Sequence, residues 1–557
     1  MEALRPTPTR NRQLAARIGG FSSLSAALDY AAQGETGLNI YSSLGQLQLC
    51  LSYTTLRTQA TLSARHLNSL KLPRGSYVAL IGETSGAFFS LFFACQYAGL
   101  VPCVLPYNTH PGGKLAYAEQ LRHMLSACGA HLLIAPDSLA EWLVDTQLTE
   151  GLQVLGESQL NDLALEVESL FLSPDESAYV QFSSGSTSDP KGVLISQRAV
   201  CDNIDAILHD GMNLHSADRA FSWLPMYHDM GLVGFFLAAL SAQCSVDYLS
   251  PISFAKRPSL WLQLMSDNRS SITYAPAFAY RLALHRLKDA AELDLSNVRI
   301  AGIGGELIRP SVLEECSKGL EKHGFQRHAW LPSYGLAENC LAVCIGQPGQ
   351  GLELSHDPSG QPSGRVLMCC GRPLPGSEIR ILNNQGHALS HGQIGHIWLR
   401  SSSLMQGYLH GAQLDRSVFD EHGFMDTGDL GYWHQDQLVI SGRSKELIQL
   451  RGRNVWPQDI EWALERVEPL TPGDVAAFAI VQDDEEHLVV LIQSRLHHDL
   501  QRSQTLLGQL SSTLSQHFGI NAKLHLLSPR SLPLTSSGKL SRLKARDAYL
   551  RGEYTVS

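Results

Sequence analysis

No Cys-x-x-Cys pair occurs among the eleven cysteines of this 557-residue chain, and no His/Cys grouping has the spacing of zinc ligands. The cysteine count is odd and the positions are scattered, which excludes a disulfide framework and fits a reduced compartment. Charge is also sparse, at 17% of residues, and the acidic excess gives a formal net charge of -10. No basic arm is present, so nucleic-acid binding by phosphate neutralisation is not expected. The N-terminal MEALRPTPTRNRQLAARIGG carries arginines but no apolar core before a small-residue cleavage site. That is unlike a secretory signal, and the expected location is cytoplasmic.

Long apolar runs are few. Gly86 to Gly113 has no charged side chain, but Gln96, Gly99 and Pro102 interrupt it and SYVALIGETS precedes it as a strand and turn. A buried strand–helix–strand unit, with the helix from about Ala87 to Ala98, accounts for it without a membrane span. The second run, GLVGFFLAAL from Gly231, is too short to cross a bilayer. No transmembrane segment is expected.

A chain of this length and 44% hydrophobic content exceeds one compact core. The strand-like YVALIG, LVPCVL and HLLIAP alternate with helical patterns such as EQLRHMLSACG. The alternation continues through SSITYAP, VRIAGIGG and RHAWLPSYG. From Gly371 the texture becomes short period-two segments broken by Gly, Pro and Asn-Gln-Gly. After Ser441 it changes again, to the helix DIEWALERV, strands VAAFAIV and HLVVLIQ, and the helix TLLGQLSSTLSQHF. The expected fold class is α/β: a large N-terminal domain of two parallel-sheet α/β subdomains plus a small β-rich subdomain, followed by a small mobile α+β C-terminal domain. The boundaries are 1–442, with the β-rich part at about 371–441, and 443–557.

The stretch FSSGSTSDPKG, from Phe182 to Gly192, lies between SAYVQF and GVLIS. It reads either as a surface turn or as a phosphate cradle, in which glycines and small hydroxyls let backbone N–H groups point into a concavity beside Lys191. It fails the G-x-x-x-x-G-K-[ST] pattern and joins two strands rather than opening a helix; the next helix has Ser196 as its cap and Val200, Ile204, Ile207 and Leu208 on one face. Downstream, in order, come GIGGEL (Gly302 to Leu307), SYGLAEN (Ser333 to Asn339), DTGDLGYW (Asp426 to Trp433), GRSKELIQLRGRNVWPQDIE (Gly442 to Glu461) and LPLTSSGKLSR (Leu532 to Arg542). Alone, each has an ordinary reading: a strand-end turn for Tyr334-Gly335, a capping turn residue for Asp429, a solvated basic pair for Arg443 and Lys445.

Taken together and in this order, the motifs resemble the adenylate-forming superfamily of acyl-CoA synthetases, peptide-synthetase adenylation domains and luciferases, over nearly the whole chain. The resemblance implies ATP and Mg²⁺ as cofactors. It implies that Ser183, Ser184, Gly185, Ser186, Thr187 and Lys191 cradle phosphates, that Gly304, Gly305 and Glu306 with Ser333, Tyr334 and Gly335 face adenine, and that Asp429 and Arg443 take the ribose. Glu338 and Thr187 are the implied metal ligands, Lys445 the hinge, and Lys539 the catalytic lysine on a loop of the C-terminal lid. Attack of a carboxylate on the α-phosphorus brings two anions together, so cationic groups are required.

SWLPMYHDMGLVG, SPISFAKRPSLWLQ and YAPAFAYRLA resemble the fatty acyl-AMP ligase branch in particular. By that resemblance the substrate is a medium- or long-chain fatty acid. The acceptor is an acyl carrier protein or the carrier domain of a polyketide or peptide synthase; the alternative acceptor is coenzyme A. His228 and Asp229 would stand where nucleotide and acyl sites meet, His228 as a catalytic group. Ala275, Phe278 and Ala279 read either as an acyl tunnel or as core. The branch carries an inserted segment after the tyrosine-glycine motif, and Val343 to Met368 occupies that place. Two residues depart from the family's pattern: Ser188 stands for a glycine and His396 for a glutamate.

Overall fold

The computed structural model describes residues 4–107, 113–146, 148–167, 172–183, 190–288, 292–358, 365–411, 413–450, 453–482, 485–535 and 539–554. Among these, nine strands form one sheet, in the order Arg372–Pro373, Ala342–Ile345, Trp330–Gly335, Ile300–Ile303, Ile272–Tyr274, Arg219–Ser222, Ser245–Leu249, Gly37–Tyr41 and Leu47–Ser52. Its six central strands are parallel. Eight strands form a second sheet, in the order Gln413–Asp415, Gly407–His410, Lys191–Ser196, Ser177–Ser183, Val101–Leu105, Tyr77–Ile81, Leu132–Ala135 and Gln153–Gly156. This is the expected mixed α/β architecture of large N-terminal sheets followed by a small α+β unit.

The charge-free segment is the expected buried crossover. Strands Tyr77–Ile81 and Val101–Leu105 pair in parallel, and the helix Gly86–Tyr97 that joins them is wedged between the two sheets. Phe89 packs 4.5 Å from the Phe236 ring and 5.5 Å from Tyr248 of the nine-stranded sheet, and Phe92 lies 6.3 Å from Tyr179 of the other. A helix covered on all sides needs apolar residues around its circumference, which explains the absence of charge. Its one amide, Gln96, is fully buried and satisfied: its Nε2 donates to the Ala178 carbonyl at 2.7 Å, and its Oε1 accepts from Gln197 at 2.7 Å. Among the described residues, no helix is long and apolar enough to cross a membrane.

In the stretch from Gly371, Ser377–Leu382, Gly395–Ser401, Met425–His434 and Gln437–Arg443 form a four-stranded antiparallel sheet. His396 lies in it, with its Nε2 3.0 Å from Asn384 Oδ1. The intervening Gly407–His410 leaves that sheet and pairs with Lys191–Ser196, so the β-rich segment is stitched to the eight-stranded sheet. The C-terminal unit has strands Val475–Gln482, Glu485–Gln493 and Lys523–Leu527, the hairpin Ile448–Leu450 with Arg453–Val455, and helices Pro457–Leu464, Leu500–Phe518 and Arg542–Leu550. Its cores are its own. Two arginines dock it on the rest of the chain. Arg309 pairs with Glu465 at 2.8 Å and lies over Trp462; Arg365 pairs with Asp459 at 2.8 Å and lies over Trp456.

One ion pair in the nine-stranded sheet is wholly buried. The Arg219 guanidinium holds Asp247 through two bonds of 2.7 and 2.6 Å, with both side chains at most 4% exposed. Asn39 donates to the same carboxylate at 2.9 Å, and Arg219 reaches the Thr7 carbonyl at 2.8 Å, tying the N-terminal segment to the sheet. Removing one member of such a pair strands the other. Asp247→Ala should therefore cost about 3–5 kcal/mol, read as a lowered urea midpoint; a loss under about 1 kcal/mol would mean that Arg219 finds water.

Candidate active site

Gly304, Gly305, Glu306, Asp229, Ser333, Tyr334 and Lys539 lie where the C-terminal ends of the parallel strands meet the C-terminal unit, the crevice in which open α/β sheets bind ligands. The loop after Ile300–Ile303 carries Gly304, Gly305 and Glu306. Gly305 has φ +78, a conformation that costs glycine nothing, and it turns its carbonyl toward the C-terminal unit. Lys539 Nζ donates to that carbonyl. Burial pulls the Lys539 pKa down, and the carboxylates of Glu306 and Asp229 oppose the shift. Both carboxylates are themselves pushed up by burial, and Lys539 draws each back. Glu306 also accepts from the backbone N–H groups of Ala277 and Phe278. Asp229 caps the helix Met230–Leu237, accepting from the Met230 N–H at 2.8 Å. His228, one residue earlier, packs its ring 5.3 Å from that of Tyr227.

On the opposite side, Tyr334, next to last in the strand Trp330–Gly335, donates its hydroxyl to Asp429 at 2.7 Å. Asp429 stands directly across from Arg443 in adjacent antiparallel strands, with Arg443 Nε 3.2 Å away. Burial raises the Asp429 pKa and Arg443 counters it, while Asp429 raises the Arg443 pKa. Ser333 donates to the Ile303 carbonyl at 3.2 Å, joining the Tyr334 strand to the Gly304–Gly305 loop. Lys445 follows in the short turn Ser444–Glu446.

Strands Ser177–Ser183 and Lys191–Ser196 are antiparallel neighbours, so the stretch between them joins adjacent strands, as expected. Ser184, Gly185, Ser186, Thr187 and Ser188 lie outside the described residues. Ser196 caps the next helix, accepting from Ala199 at 3.1 Å. Lys191 sits 4.6 Å over the ring of Tyr408, whose hydroxyl donates to Glu338 Oε1 at 2.6 Å. Tyr408 was not predicted; it links Lys191 to the Glu338 carboxylate by way of the stitched strand Gly407–His410. The glycine and tyrosine of MQGYLH carry no motif, and only the strand pairing reveals them.

The residues present fit Mg²⁺. This ion keeps several waters and takes one or two carboxylates together with substrate phosphates. Glu338, anchored through one oxygen by Tyr408, is such a carboxylate. Among the described residues, no group of three or more His, Cys, Asp or Glu side chains forms a cage for a metal.

An apolar cavity opens beside Asp229, Gly305 and Tyr334. It is lined by Asp229, Met230, Tyr274, Gly305, Ser333, Tyr334 and Gly335, which lie toward the C-terminal ends of the parallel strands, and by apolar residues that include Ile207, Leu208, Met212, Leu214, Phe235, Ala238, Ala239 and Ile345. Two π-helical segments, Ile207–Gly211 and Met230–Leu237, wall it. Such segments are rare and frequent at functional sites. Ala275, Phe278 and Ala279 are not among its lining residues: Ala275 and Ala279 are fully buried in the core, and Phe278 packs against it. Tyr274 of the preceding strand lines the cavity, and the Tyr280 hydroxyl of the following helix donates to the Gly302 carbonyl at 2.9 Å. The wall is instead the run GLVGFFLAAL, whose charge-free composition was the available signal.

Residues 44–409 match the family described as AMP-binding enzyme. The chain is 39% identical to a Caulobacter vibrioides protein that bears the name "Putative acyl-CoA synthetase", over 98% of each chain. It is 29% identical to the medium-chain-fatty-acid–[acyl-carrier-protein] ligase JamA of Moorena producens, over 96% of each. Among solved structures, one from work on fatty acyl-adenylate ligases of E. coli and L. pneumophila superposes with a TM-score of 0.92 at 38% identity, covering 97% of this chain and 100% of the other.

Gly302 faces the Tyr274 ring so closely that a Cβ there would lie 1.9 Å from it. Gly302→Ala should therefore push this lining residue off its site and cost about 1–3 kcal/mol in chemical denaturation; an unchanged midpoint would show that the ring yields freely.

Proposed function

The chain belongs to the AMP-binding enzyme family, and on that premise we propose that it activates a medium- or long-chain fatty acid with ATP and loads it onto an acyl carrier protein. A carboxylate oxygen attacks the α-phosphorus, pyrophosphate leaves, and the acyl-adenylate forms. The phosphopantetheine thiol of the carrier then attacks the acyl carbonyl, its proton is lost, and AMP leaves. The observation that carries this reading is the apolar cavity lined at one end by Gly305, whose carbonyl accepts from the Lys539 ammonium, so that an alkyl chain would be buried with its carboxylate near that ammonium.

In this reading Lys539 gives up its bond to the Gly305 carbonyl to offset charge on the carboxylate and the α-phosphate. Asp229 and His228 border the reacting carboxyl group. Tyr334, with Ser333, Gly335, Gly304, Gly305 and Glu306, faces adenine, while Asp429 accepts from the ribose hydroxyls and Arg443 holds Asp429 in place. Lys191 and Ser183, with the stretch up to Thr187, hold the phosphates. Glu338 would hold Mg²⁺, with Thr187 as its second protein ligand; the ion supplies Lewis-acid offset of phosphate charge. Residues 1–442 form the adenylation domain and 443–557 the lid, which turns at Lys445 between the two half-reactions.

The acceptor is argued from the segment Val343 to Met368. Its Arg365 is buried against Asp459 and Trp456 of the C-terminal unit, a contact that restrains the lid and disfavours a free coenzyme A. Transfer to coenzyme A is the alternative, favoured by the name of the Caulobacter relative.

Protein incubated with a fatty acid, ATP and Mg²⁺ should release pyrophosphate and then load a pantetheinylated carrier protein faster than it makes acyl-CoA. Rapid acyl-CoA formation without carrier loading would overturn the acceptor assignment. Lys539→Ala should slow adenylate formation by about 10²–10³-fold while ATP still binds; adenylation at the normal rate would remove Lys539 from the chemistry.

A further inference from the structure

The reach of the cavity follows from its helical wall. Lining residues along Met230–Leu237 and its continuation Ala238–Ser241 run from Asp229 to Ala239. That is a rise of at most about 15 Å at about 1.5 Å per residue. The far end is lined by Met212, Leu214, Ala220 and Cys244. These residues lie near the N-terminal ends of strands Arg219–Ser222 and Ser245–Leu249, opposite the ends that face the catalytic groups.

The loop that crosses this end is held from outside. Arg299 donates to the Met212 carbonyl at 3.1 Å, to the Asn213 carbonyl at 3.1 Å and, through Nε, to Asp218 at 2.8 Å. Asp218 is 3% exposed and also accepts from the His215 N–H and the Ser271 hydroxyl, each at 2.7 Å. Asn213 has φ +43, a left-handed turn that asparagine tolerates and that lets the chain present Met212 and Leu214 on either side of it to the cavity. One guanidinium thus fixes both carbonyls and the carboxylate that close the loop.

We propose that this Arg299-pinned loop, through Met212 and Leu214, is the stop that sets the longest acyl chain accepted, at roughly ten to twelve carbons for C–C bonds of about 1.5 Å in zigzag. The inference rests on the fatty-acid reading above and adds a length limit to it. Met212 and Leu214 are specificity residues; Arg299 is a positioning residue that acts through them.

The test is a series of saturated fatty acids of increasing length, with kcat/KM measured by pyrophosphate release. In the wild type, the acid two carbons beyond the optimum should fall by roughly tenfold or more relative to the optimum, since one methylene in an apolar pocket is worth about 10–200-fold. Met212→Ala should raise that longer-to-optimum ratio by about tenfold, and Ala239→Leu, which fills the same end, should lower it by about tenfold. Arg299→Gln should move it in the direction of Met212→Ala. Thermal melts identify folded variants; if Met212→Ala unfolds, Ala239→Leu carries the test. A ratio unmoved in the folded variants, or moved in the same direction by Met212→Ala and Ala239→Leu, overturns the stop alone. No pyrophosphate release with any acid overturns the fatty-acid reading and the stop with it.

Discussion

Lys539 is held by the Gly305 carbonyl, and the carboxylates of Asp229 and Glu306 offset the cost of burying its charge. An ammonium held this way is costly unless its partners are in position beforehand. Much of the surrounding structure serves that requirement. The left-handed turn at Gly305 aims a carbonyl at the incoming lysine. Glu306 is oriented by two backbone N–H groups and Asp229 by the first turn of the helix it caps. The C-terminal unit is held at the right height by Arg309 and Arg365, each paired to a carboxylate and laid over a tryptophan. The arrangement of Lys539, Asp229 and Glu306 therefore depends on contacts spread over the two parts of the chain.

The second organising device is the stitched strand Gly407–His410. By pairing with Lys191–Ser196 it carries Tyr408 from a distant part of the sequence to a position between Lys191 and Glu338. The ring face takes the cation and the hydroxyl reaches the carboxylate, so one residue keeps two opposite charges at a set separation without pairing them directly. On the proposed function, an ion pair between Lys191 and Glu338 would neutralise the two groups assigned to the phosphate chain and its metal.

Local chemistry was legible in the sequence wherever it was written in contiguous residues. Period and composition located the strands on either side of FSSGSTSDPKG, the cap at Ser196 and the buried crossover Gly86–Tyr97, because each depends on neighbours within one element. The ordered motifs pointed to Lys539, Gly305, Tyr334, Asp429 and Arg443, which the fold brings to one crevice. Long-range pairing was not legible. Nothing in MQGYLH indicates that it leaves the β-rich segment for another sheet, since a strand's partner is set by the whole topology. The cavity wall was missed for a related reason. Small apolar residues such as Ala275 and Ala279 look alike in a tunnel and in a core, and the winding of GLVGFFLAAL into π-helical turns leaves no periodic signature.

That π-helical wall gives the cavity the character of a hydrocarbon solvent. A fatty chain leaving water for it gains about 0.8 kcal/mol per methylene, the same increment it gains on entering a bilayer. The protein and any membrane therefore compete for the chain on nearly equal terms, methylene by methylene. Greasiness alone gives no preference for this site. On the proposed function, what the protein adds lies at the two ends of the chain, where a bilayer offers neither an ammonium near the carboxylate nor a floor: capture of the substrate becomes a partition problem decided by its head and its length.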